Sequence, residues 1–257
     1  DDEFAVAGRA EGVELDVVDG ASDVRRTLVI HGADGATTSL WEAGRPTTQG
    51  AQGRLVERVG QLLRSADALV ISGSLPPGVS ADLPADLAAA AGSAGVPAVA
   101  DIDGEALVRA AHVPGVVLMP NEDELARLTG ASWVGIADVV TGGADFVRGG
   151  ARAVLATRGP DGIVGVTVDG AWHARLDQPL AGNPTGAGDA GAAAVARRLA
   201  ASPQAHGSHD WPGTLAEAVA ASSAAVLSEV AGDVDPQVYA ELLPRVEVTE
   251  VARSVTS

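Results

Sequence analysis

The segment at residues 183–190 has the residue types and spacing most able to perform chemistry, and it reads Asn-Pro-Thr-Gly-Ala-Gly-Asp-Ala. Gly186 and Gly188 have no Cβ, so the backbone N–H groups around them can face one concave point. An alanine-rich helical pattern follows at residues 190–199. Because the start of a helix adds unsatisfied N–H groups and the positive end of its dipole, this segment predicts a site for an anion such as phosphate.

Asp189 stands at the rim of this anion site. A carboxylate in that position suits a base that takes a proton from a hydroxyl group attacking a phosphoryl group. The spacing alone equally allows an ordinary loop-to-helix turn in which Asp189 only complements the helix dipole, since short glycine motifs are weak evidence. The choice between the two depends on the elements that surround the segment.

Composition limits the classes of protein to which the chain can belong. Its 257 residues are 46% hydrophobic, which is enough for one large domain or two small ones with a sizeable core. A net charge of −17 and an aromatic content of 3% argue against a nucleic-acid partner. The absence of cysteine excludes disulfides, thiolate catalysis and cysteine-ligated zinc. No apolar run could span a bilayer and no signal-peptide pattern is present, so we expect a cytoplasmic protein without a membrane partner.

The first part of the chain predicts a small β-rich section. Residues 4–12 have the pattern of a helix end, and residues 13–18 alternate like a strand with one exposed face. Residues 25–31 and 37–41 predict two more strands, joined by a turn at residues 32–35. The spacing of leucine and valine at residues 52–65 then predicts a helix.

From residue 68 onward, short continuous apolar runs alternate with helical patterns. The runs predict buried strands at residues 68–71, 96–100, 116–119, 153–156 and 163–168, the last one antiparallel to its predecessor. The helical patterns lie at residues 82–94, 106–111, 122–128 and 137–148, and three more begin at residues 188, 214 and 236. Residues 202–213 predict a polar loop and residues 249–257 a frayed tail. Such alternation predicts an α/β fold with a mostly parallel sheet and helices on both faces.

Polar and glycine-rich segments follow the predicted strands at their carboxyl ends. They are residues 72–78 (Ser-Gly-Ser-Leu-Pro-Pro-Gly), 101–104 (Asp-Ile-Asp-Gly), 120–124 (Pro-Asn-Glu-Asp-Glu) and 157–162 (Thr-Arg-Gly-Pro-Asp-Gly). In open α/β sheets this edge holds the ligand crevice. The turn at Gly186 can join the same edge.

These segments, in this order, resemble the PfkB (ribokinase-like) family of carbohydrate kinases, and in particular its phosphosugar branch of 1-phosphofructokinases and tagatose-6-phosphate kinases. Residues 185–189 are similar to the family's C-terminal signature turn, and residues 120–125 to its Asn-x-x-Glu segment. Residues 72–76 and 104–107 are similar to motifs of the branch. The resemblance extends from about residue 2 to about residue 243.

The resemblance implies a ribokinase-like three-layer αβα fold with a mostly parallel central sheet and a small β lid. Residues 1–246 would form a single kinase domain, residues 13–41 would include part of the lid, and residues 247–257 would be a tail. The family's N-terminal portion, with a core strand, a sugar-binding aspartate and a glycine-rich loop, is not found before Asp1. We therefore expect the chain to be incomplete at its N-terminus.

The resemblance also implies ATP and Mg²⁺ as cofactors and assigns roles to individual residues. Asp189 would be the base that deprotonates the acceptor hydroxyl group. The transferring phosphoryl group and the ATP phosphates would be held by Thr185, Gly186, Ala187 and Gly188, and the nucleotide would be lined by Thr157, Arg158, Gly159 and Gly162. Asn121 and Glu124 would organise Mg²⁺, largely through water. The phosphorylated sugar would be bound by Arg26, Ser72, Gly73 and Ser74.

Each of these roles has a structural alternative that the sequence leaves open. Asn121 and Glu124 also fit a helix capping box. Arg26 could be a solvated charge on a strand, and residues 72–78 could be only a loop that leaves a strand. Asp101 could simply end a strand.

Two further positions bear on the chemistry. His206 and His209 suggest a metal site, but they lie in a polar loop without acidic ligands at helical spacing, so we expect none there. Met119 stands where the branch often has a lysine able to meet ATP phosphate.

Two functions remain open at this point. The first is an ATP-dependent kinase whose full-length form phosphorylates D-fructose 1-phosphate or, as the runner-up, tagatose 6-phosphate. The second is a catalytically silent relative that binds a nucleotide or metabolite. The sequence also leaves a homodimer open.

Overall fold

The computed structural model describes residues 6, 8–10, 12–20, 24–31, 37–130, 135–202 and 209–253. The turn predicted at residues 32–35 and His206 lie outside these residues. The chain divides into two compact units, unit 1 at Asp1–Gln61 and Pro76–Val79 and unit 2 at Leu62–Leu75 and Ser80–Ser257. The assignment of residues 1–246 to a single domain stays a prediction. No helix in the described part of the chain is long and apolar enough to cross a bilayer.

The described part of unit 1 contains a two-stranded antiparallel sheet, a helix after it, and helical residues at 6 and 8–10, as the pattern at residues 4–12 predicts. Strand β1 (Thr27–His31) pairs with β2 (Thr37–Trp41), with Thr27 opposite Trp41, so both strands predicted here are confirmed. Helix α1 covers Ala51–Leu62, as its spacing of apolar residues predicts.

The strand predicted at residues 13–18 is wrong, because residues 13–20 belong to no strand. The segment is instead held by hydrogen bonds to the arginines of α1. Arg58 Nε donates to Asp16 Oδ2 over 2.6 Å and Arg54 Nη2 donates to the Asp19 carbonyl over 2.8 Å. The bond from Arg58 holds the pKa of Asp16 below its ordinary value. Alternation alone cannot supply the neighbouring strand that a ladder needs.

Unit 2 is built on a seven-stranded sheet in which the strands lie in the order of the sequence. They are β3 (Leu69–Ser72), β4 (Ala98–Asp101), β5 (Val117–Leu118), β6 (Ala153–Thr157), β7 (Ile163–Thr167), β8 (Gly170–Leu176) and β9 (Val246–Ala252). Strands β3 to β6 are parallel, and each later strand is antiparallel to the one before it. Only β7 and β9 therefore oppose the common direction, which confirms a mostly parallel sheet.

Helices cover both faces of this sheet. They are α2 (Leu83–Ser93), α3 (Gly104–Ala110), α4 (Glu122–Thr129), α5 (Ile136–Arg148), α6 (Ala187–Ala201), α7 (Trp211–Leu227) and α8 (Pro236–Leu242). A Cβ added at Gly165 of β7 would lie 2.8 Å from Leu215 of α7, whereas the next residue, Val166, lies 3.0 Å from the Cβ position of Gly143 in α5. Because successive residues of a strand point to opposite faces, α5 and α7 lie on opposite sides, and the three-layer αβα architecture is confirmed.

Two strands at one end of the sheet were not predicted, β8 and β9. The frayed tail predicted from residue 249 is wrong, since residues 249–252 pair with β8, and residues 254–257 lie outside the described part. Residues 203–208 of the predicted polar loop lie outside the described residues, and residues 211–213 of its range belong to α7. Asp210 Oδ1 accepts the Gly213 N–H over 3.0 Å and caps this helix. Strand β9 is largely exposed, so it has no continuous apolar run that would have revealed it.

Candidate active site

The carboxyl edge of the parallel strands brings four of the predicted segments side by side. Hydrogen bonds between neighbouring strands continue past the strand ends. Gly73 N donates to the Asp101 carbonyl over 3.1 Å, and Thr157 N donates to the Pro120 carbonyl over 2.9 Å. Thr157 also forms a parallel bridge with Asn121. The predicted gathering of these segments at one edge is confirmed.

The segment at residues 183–190 joins the same edge. The Ser72 hydroxyl group donates to Asp189 Oδ1 over 2.6 Å, across 117 residues of sequence. A Cβ added at Gly188 would lie 3.2 Å from Asp101 Oδ2. The start of α6 therefore faces the ends of β3 and β4.

The turn before α6 requires its glycine. Gly186 has φ of +81°, and a Cβ there would lie 2.3 Å from the backbone nitrogen of Gly232. The turn is also held by Asn183 Oδ1, which accepts the Thr185 N–H over 3.0 Å. Ser222 of α7 donates to the Ala187 carbonyl over 2.8 Å, which ties the first turn of α6 to the neighbouring helix. The backbone of this segment is thus fixed on both sides.

Three backbone N–H groups at the start of α6 have no acceptor among the described residues, those of Gly186, Gly188 and Asp189. Their neighbours are bonded, since Ala187 N donates to Pro184 over 3.2 Å and Ala190 N to Gly186 over 3.0 Å. Gly188 and Asp189 are exposed. A fixed turn with free N–H groups at a helix N-terminus is suited to an anion.

Negative charge is concentrated beside these N–H groups. Burial, together with the charges of Asp189 and Glu124, raises the pKa of Asp101 to about 6. Burial is also the main cause of the raised pKa of Glu124, and the charge of Asp103 adds to it. Carboxylates that oppose one another's ionisation in this way would be stabilised by a bound cation.

Asn121 and Glu124 form the capping box at the start of α4. Asn121 Oδ1 accepts the Glu124 N–H and Glu124 Oε2 accepts the Asn121 N–H, both over 2.9 Å. The capping alternative is therefore correct, and it leaves Glu124 Oε1 available. In the described ranges, no group of three or more His, Asp and Glu side chains could by itself hold a metal ion.

Arg158 begins the turn that follows β6. Its Nε donates to Glu122 Oε1, and its backbone N–H donates to the Gly162 carbonyl over 2.8 Å. Gly159 has φ of +53° and Gly162 has φ of +83°. A Cβ at Gly162 would lie 2.0 Å from the Ala174 carbonyl oxygen of β8, so only glycine fits there.

The remaining predicted residues lie in other environments. Arg26 belongs to unit 1 and precedes β1 by one residue; its backbone N–H donates to Glu42 Oε2 over 2.9 Å. It lines a cleft of about 340 Å³ whose walls also include Arg25 and Arg45. Met119 is buried. His209 hydrogen bonds Thr214 Oγ1 over 2.8 Å.

Sequence reasoning missed two features of this edge. It left open whether Asp101 does more than end a strand, and it did not single out Glu122. The Asp-Ile-Asp-Gly motif was a signal for Asp101, because polar residues at a carboxyl edge lie at the ligand crevice. No sequence signal joined Glu122 to Arg158, which lies 36 residues away.

Comparisons with known proteins agree with this architecture. The model of the pfkB family of carbohydrate kinases matches residues 4–237. The chain is 30% identical to 1-phosphofructokinase of Bacillus subtilis over 195 residues, which are 74% of this chain and 60% of the relative. It is 30% identical to ATP-dependent 6-phosphofructokinase isozyme 2 of Escherichia coli over 193 residues, which are 74% of this chain and 62% of the relative. The chain thus spans about 60% of the length of these curated relatives.

Solved structures show the same fold. Phosphofructokinase-2 of Escherichia coli in complex with potassium superposes with a TM-score of 0.82 at 27% identity, over 95% of this chain and 77% of that one. Ribokinase of Arabidopsis thaliana in complex with ribose and ATP has a TM-score of 0.62 at 23% identity, over 90% of this chain and 73% of that one, and supports the fold alone. The family match, the relatives and the shared fold lead to one conclusion, that this chain belongs to the pfkB family of carbohydrate kinases.

Proposed function

We propose that the protein transfers the γ-phosphoryl group of ATP to a hydroxyl group of a phosphorylated ketose. The first candidate substrate is D-fructose 1-phosphate, which would give fructose 1,6-bisphosphate, and tagatose 6-phosphate is the alternative. The observation that supports this most is the set of free N–H groups at Gly186, Gly188 and Asp189, beside the carboxylate of Asp189. Donors and base lie together at the edge where α/β folds bind ligands.

The proposed chemistry divides between the backbone and one side chain. Asp189 accepts the proton of the attacking hydroxyl group, so that the oxygen of the sugar can bond to the γ-phosphorus while the bond from that phosphorus to the β–γ bridging oxygen breaks and ADP leaves. The residues of the turn, Thr185, Gly186, Ala187 and Gly188, would surround the phosphoryl group, and the free N–H groups of Gly186 and Gly188 and the positive end of the α6 dipole would stabilise it. Because these groups are fixed before the substrate arrives, they stabilise the developing charge without reorganisation.

Ser72 supports this arrangement through its hydrogen bond to Asp189 Oδ1. The bond leaves Oδ2 for the incoming proton and limits rotation of the carboxylate. Gly73 and Ser74, which continue the loop, would contact the sugar. We therefore assign Ser72 to orienting the base, in addition to the contact with substrate that the family resemblance implies.

The nucleotide would lie along the turn that follows β6, against Thr157, Arg158, Gly159 and Gly162. The absence of a side chain at each glycine allows the nucleotide to approach the backbone closely.

A divalent cation fits the neighbouring carboxylates, since the charge of Glu124 raises the pKa of Asp101 and the charge of Asp103 raises that of Glu124. Asn121 and Glu124 would hold Mg²⁺, largely through water, because both side chains also cap α4. When bound, the ion supplies positive charge against the phosphate oxygens.

The choice of a phosphorylated sugar is supported by the names of the relatives and by the arginines of unit 1. One relative is named 1-phosphofructokinase and another ATP-dependent 6-phosphofructokinase isozyme 2. Arg26 would pair with the phosphate already on the sugar. Arg45, in the same cleft, adds a second positive charge of the kind that phosphate recognition uses.

A coupled assay of ADP release tests the proposal. Purified protein, both as this chain and as the full-length gene product, is given ATP, Mg²⁺ and one sugar phosphate at a time: fructose 1-phosphate, tagatose 6-phosphate or fructose 6-phosphate. We expect turnover by the full-length product, fastest with fructose 1-phosphate. No turnover on any of the three would overturn the enzyme proposal and favour a silent relative that binds nucleotide.

A further inference from the structure

The carboxyl edge of the sheet has a shortage of positive charge. The five segments of unit 2 that meet there, residues 72–75, 101–104, 120–124, 157–162 and 183–190, contain a single basic residue, Arg158. Asp101, Glu124 and Asp189 add carboxylates to the same edge. A nucleoside triphosphate would bring several more negative charges, so the position of this one guanidinium group matters for binding.

The guanidinium group of Arg158 is held from one side. Its Nε donates to Glu122 Oε1, and its side chain is only 12% exposed. Neither Nη group forms a hydrogen bond or ion pair with any described residue. Because the N–H groups of arginine radiate in a rigid plane, fixing Nε also fixes the directions of the four Nη hydrogens.

The backbone on both sides of this ion pair is also fixed. Arg158 begins a tight turn closed by its own hydrogen bond to Gly162, and that turn packs against β8. Glu122 is the first residue of α4, directly after the cap residue Asn121. The bond from Thr157 N to Pro120 joins the two loops just before each partner. The pair therefore connects the nucleotide turn to the Asn-x-x-Glu helix.

We propose that Glu122 is a positioning residue, which holds Arg158 by its Nε so that the two Nη groups bind the phosphates of the nucleotide. This inference rests on the proposed function and adds to it the residue that orients the single basic side chain of these five segments. A guanidinium group that is already oriented loses less conformational entropy when phosphate binds. Glu122 thus favours binding although its own charge repels the ligand.

The two effects of Glu122 on ATP binding, repulsion by its charge and orientation of Arg158, have opposite signs and can therefore be separated by experiment. If Glu122 acted only through its charge, Glu122→Ala would strengthen the binding of ATP, because one repulsive carboxylate is removed. Positioning predicts the reverse. Asp123→Ala is the matched control, because Asp123 is exposed and lies one residue further along α4. This substitution removes the same charge but no contact with Arg158.

The experiment measures binding of ATP, ADP and adenosine, with Mg²⁺ and without sugar, by isothermal titration calorimetry. We expect Arg158→Gln to weaken ATP binding by about 10- to 100-fold, the usual range for a lost charge-assisted hydrogen bond, and to leave adenosine binding unchanged. Glu122→Ala should weaken ATP binding by about 3- to 10-fold, as expected when orientation but not charge is lost. Asp123→Ala should leave it unchanged or slightly stronger. The double variant Glu122→Ala/Arg158→Gln should bind ATP no more weakly than Arg158→Gln alone.

Other outcomes separate this inference from the proposed function. If Arg158→Gln binds ATP normally, or if it loses ATP and adenosine equally, Arg158 does not contact the phosphates. If Glu122→Ala strengthens ATP binding as Asp123→Ala does, Glu122 does not act through Arg158. The same conclusion follows if the double variant binds ATP more weakly than Arg158→Gln by the full factor seen for Glu122→Ala alone. If the wild-type protein binds none of the three ligands, the proposed function itself is overturned, together with this inference.

Discussion

The two sheets of this protein differ in what their apolar side chains contact. In unit 2, Val117, Leu155 and Val164 are fully buried between helical layers. In unit 1, Leu28, Leu40 and Trp41 are 56%, 55% and 66% exposed. A two-stranded sheet is marginally stable by itself, whereas a sheet covered on both faces has its own core. Unit 2 can therefore hold reacting groups in fixed positions, whereas these described apolar side chains of the unit 1 sheet are exposed.

The two units also differ in charge. Unit 2 gathers carboxylates at its carboxyl edge, with Arg158 as the only basic residue of the five segments there. The cleft of unit 1 is lined by three arginines, Arg25, Arg26 and Arg45, and one glutamate. This contrast supports the proposal that unit 2 supplies the base and the anion site and that arginines of unit 1 bind the phosphate of the sugar.

The largest expected difference between the two sheets is in how much a core substitution lowers the free energy of unfolding. Leu155→Ala should lower the free energy of unfolding by about 2–5 kcal/mol, because it leaves a cavity in a packed core. Leu40→Ala removes a side chain of the same size from an exposed position and should change it by less than about 0.5 kcal/mol. Urea denaturation of both variants measures the difference. Similar losses would mean that the two sheets are equally well packed.

Within unit 2, Ser72→Ala should lower kcat by about 10- to 100-fold, since a hydrogen bond to a charged group is lost. If Ser72 mainly orients Asp189, the KM for the sugar changes little. Ser93→Ala, which removes a hydroxyl group from α2, is the control and should have normal kinetics. An increase in KM with unchanged kcat would instead assign Ser72 to substrate binding alone.

Removal of a charge from unit 1 should affect the acceptor and spare the nucleotide. Arg26→Ala should raise the KM for the phosphorylated sugar by about tenfold, the effect of one lost ionic contact, and change the KM for ATP much less. Arg64→Ala, at an exposed position outside both sites, is the matched control. A larger effect on ATP than on the sugar would contradict the assignment of unit 1 to the acceptor.

The smallest effect concerns pH and the carboxylates of unit 2. The pKa of Asp101 is about 6 in the folded protein against an ordinary value of 3.8, so between these pH values the folded state keeps a proton that the unfolded state has lost. Asp101 therefore makes the protein less stable as pH rises from about 4 to about 6. Asp101→Asn removes this dependence on pH. The free energy of unfolding of the variant, relative to that of wild type, should therefore increase by about 1–2 kcal/mol between pH 4 and pH 6, allowing for solvent screening of a partly exposed group.

Urea denaturation at a series of pH values measures this difference. Asp169→Asn, an exposed carboxylate in the turn between β7 and β8, controls for the loss of one acidic side chain. A relative stability that stays constant between pH 4 and 6 would contradict the account of Asp101.

Much of unit 2 could be predicted from the sequence because its central strands are continuous apolar runs, which signal burial on both faces. Strands β8 and β9 were not predicted because apolar and polar residues alternate along them. The sequence also does not show which neighbouring strand each of them pairs with. The same reason explains the error at residues 13–18, where alternation occurs without a partner. An alternating pattern predicts a strand only where a second strand is available to it.

The site could be predicted to the level of segments and no further. Chain direction in a parallel sheet requires residues 72–78, 101–104, 120–124 and 157–162 to end at one edge, so their gathering follows from topology. The bonds from Ser72 to Asp189 and from Arg158 to Glu122 join residues 117 and 36 positions apart. Such pairs depend on side-chain directions in the folded protein, which no local pattern encodes.

Substitution of the proposed base tests the central claim most directly. Asp189→Asn keeps the shape of the side chain and removes its ability to accept a proton. With the full-length product and its best sugar phosphate, we expect kcat to fall by about 100- to 10,000-fold while ATP binding, measured by calorimetry, stays near that of wild type. Turnover equal to that of wild type would contradict the account, because the anion site would then work without the carboxylate beside it.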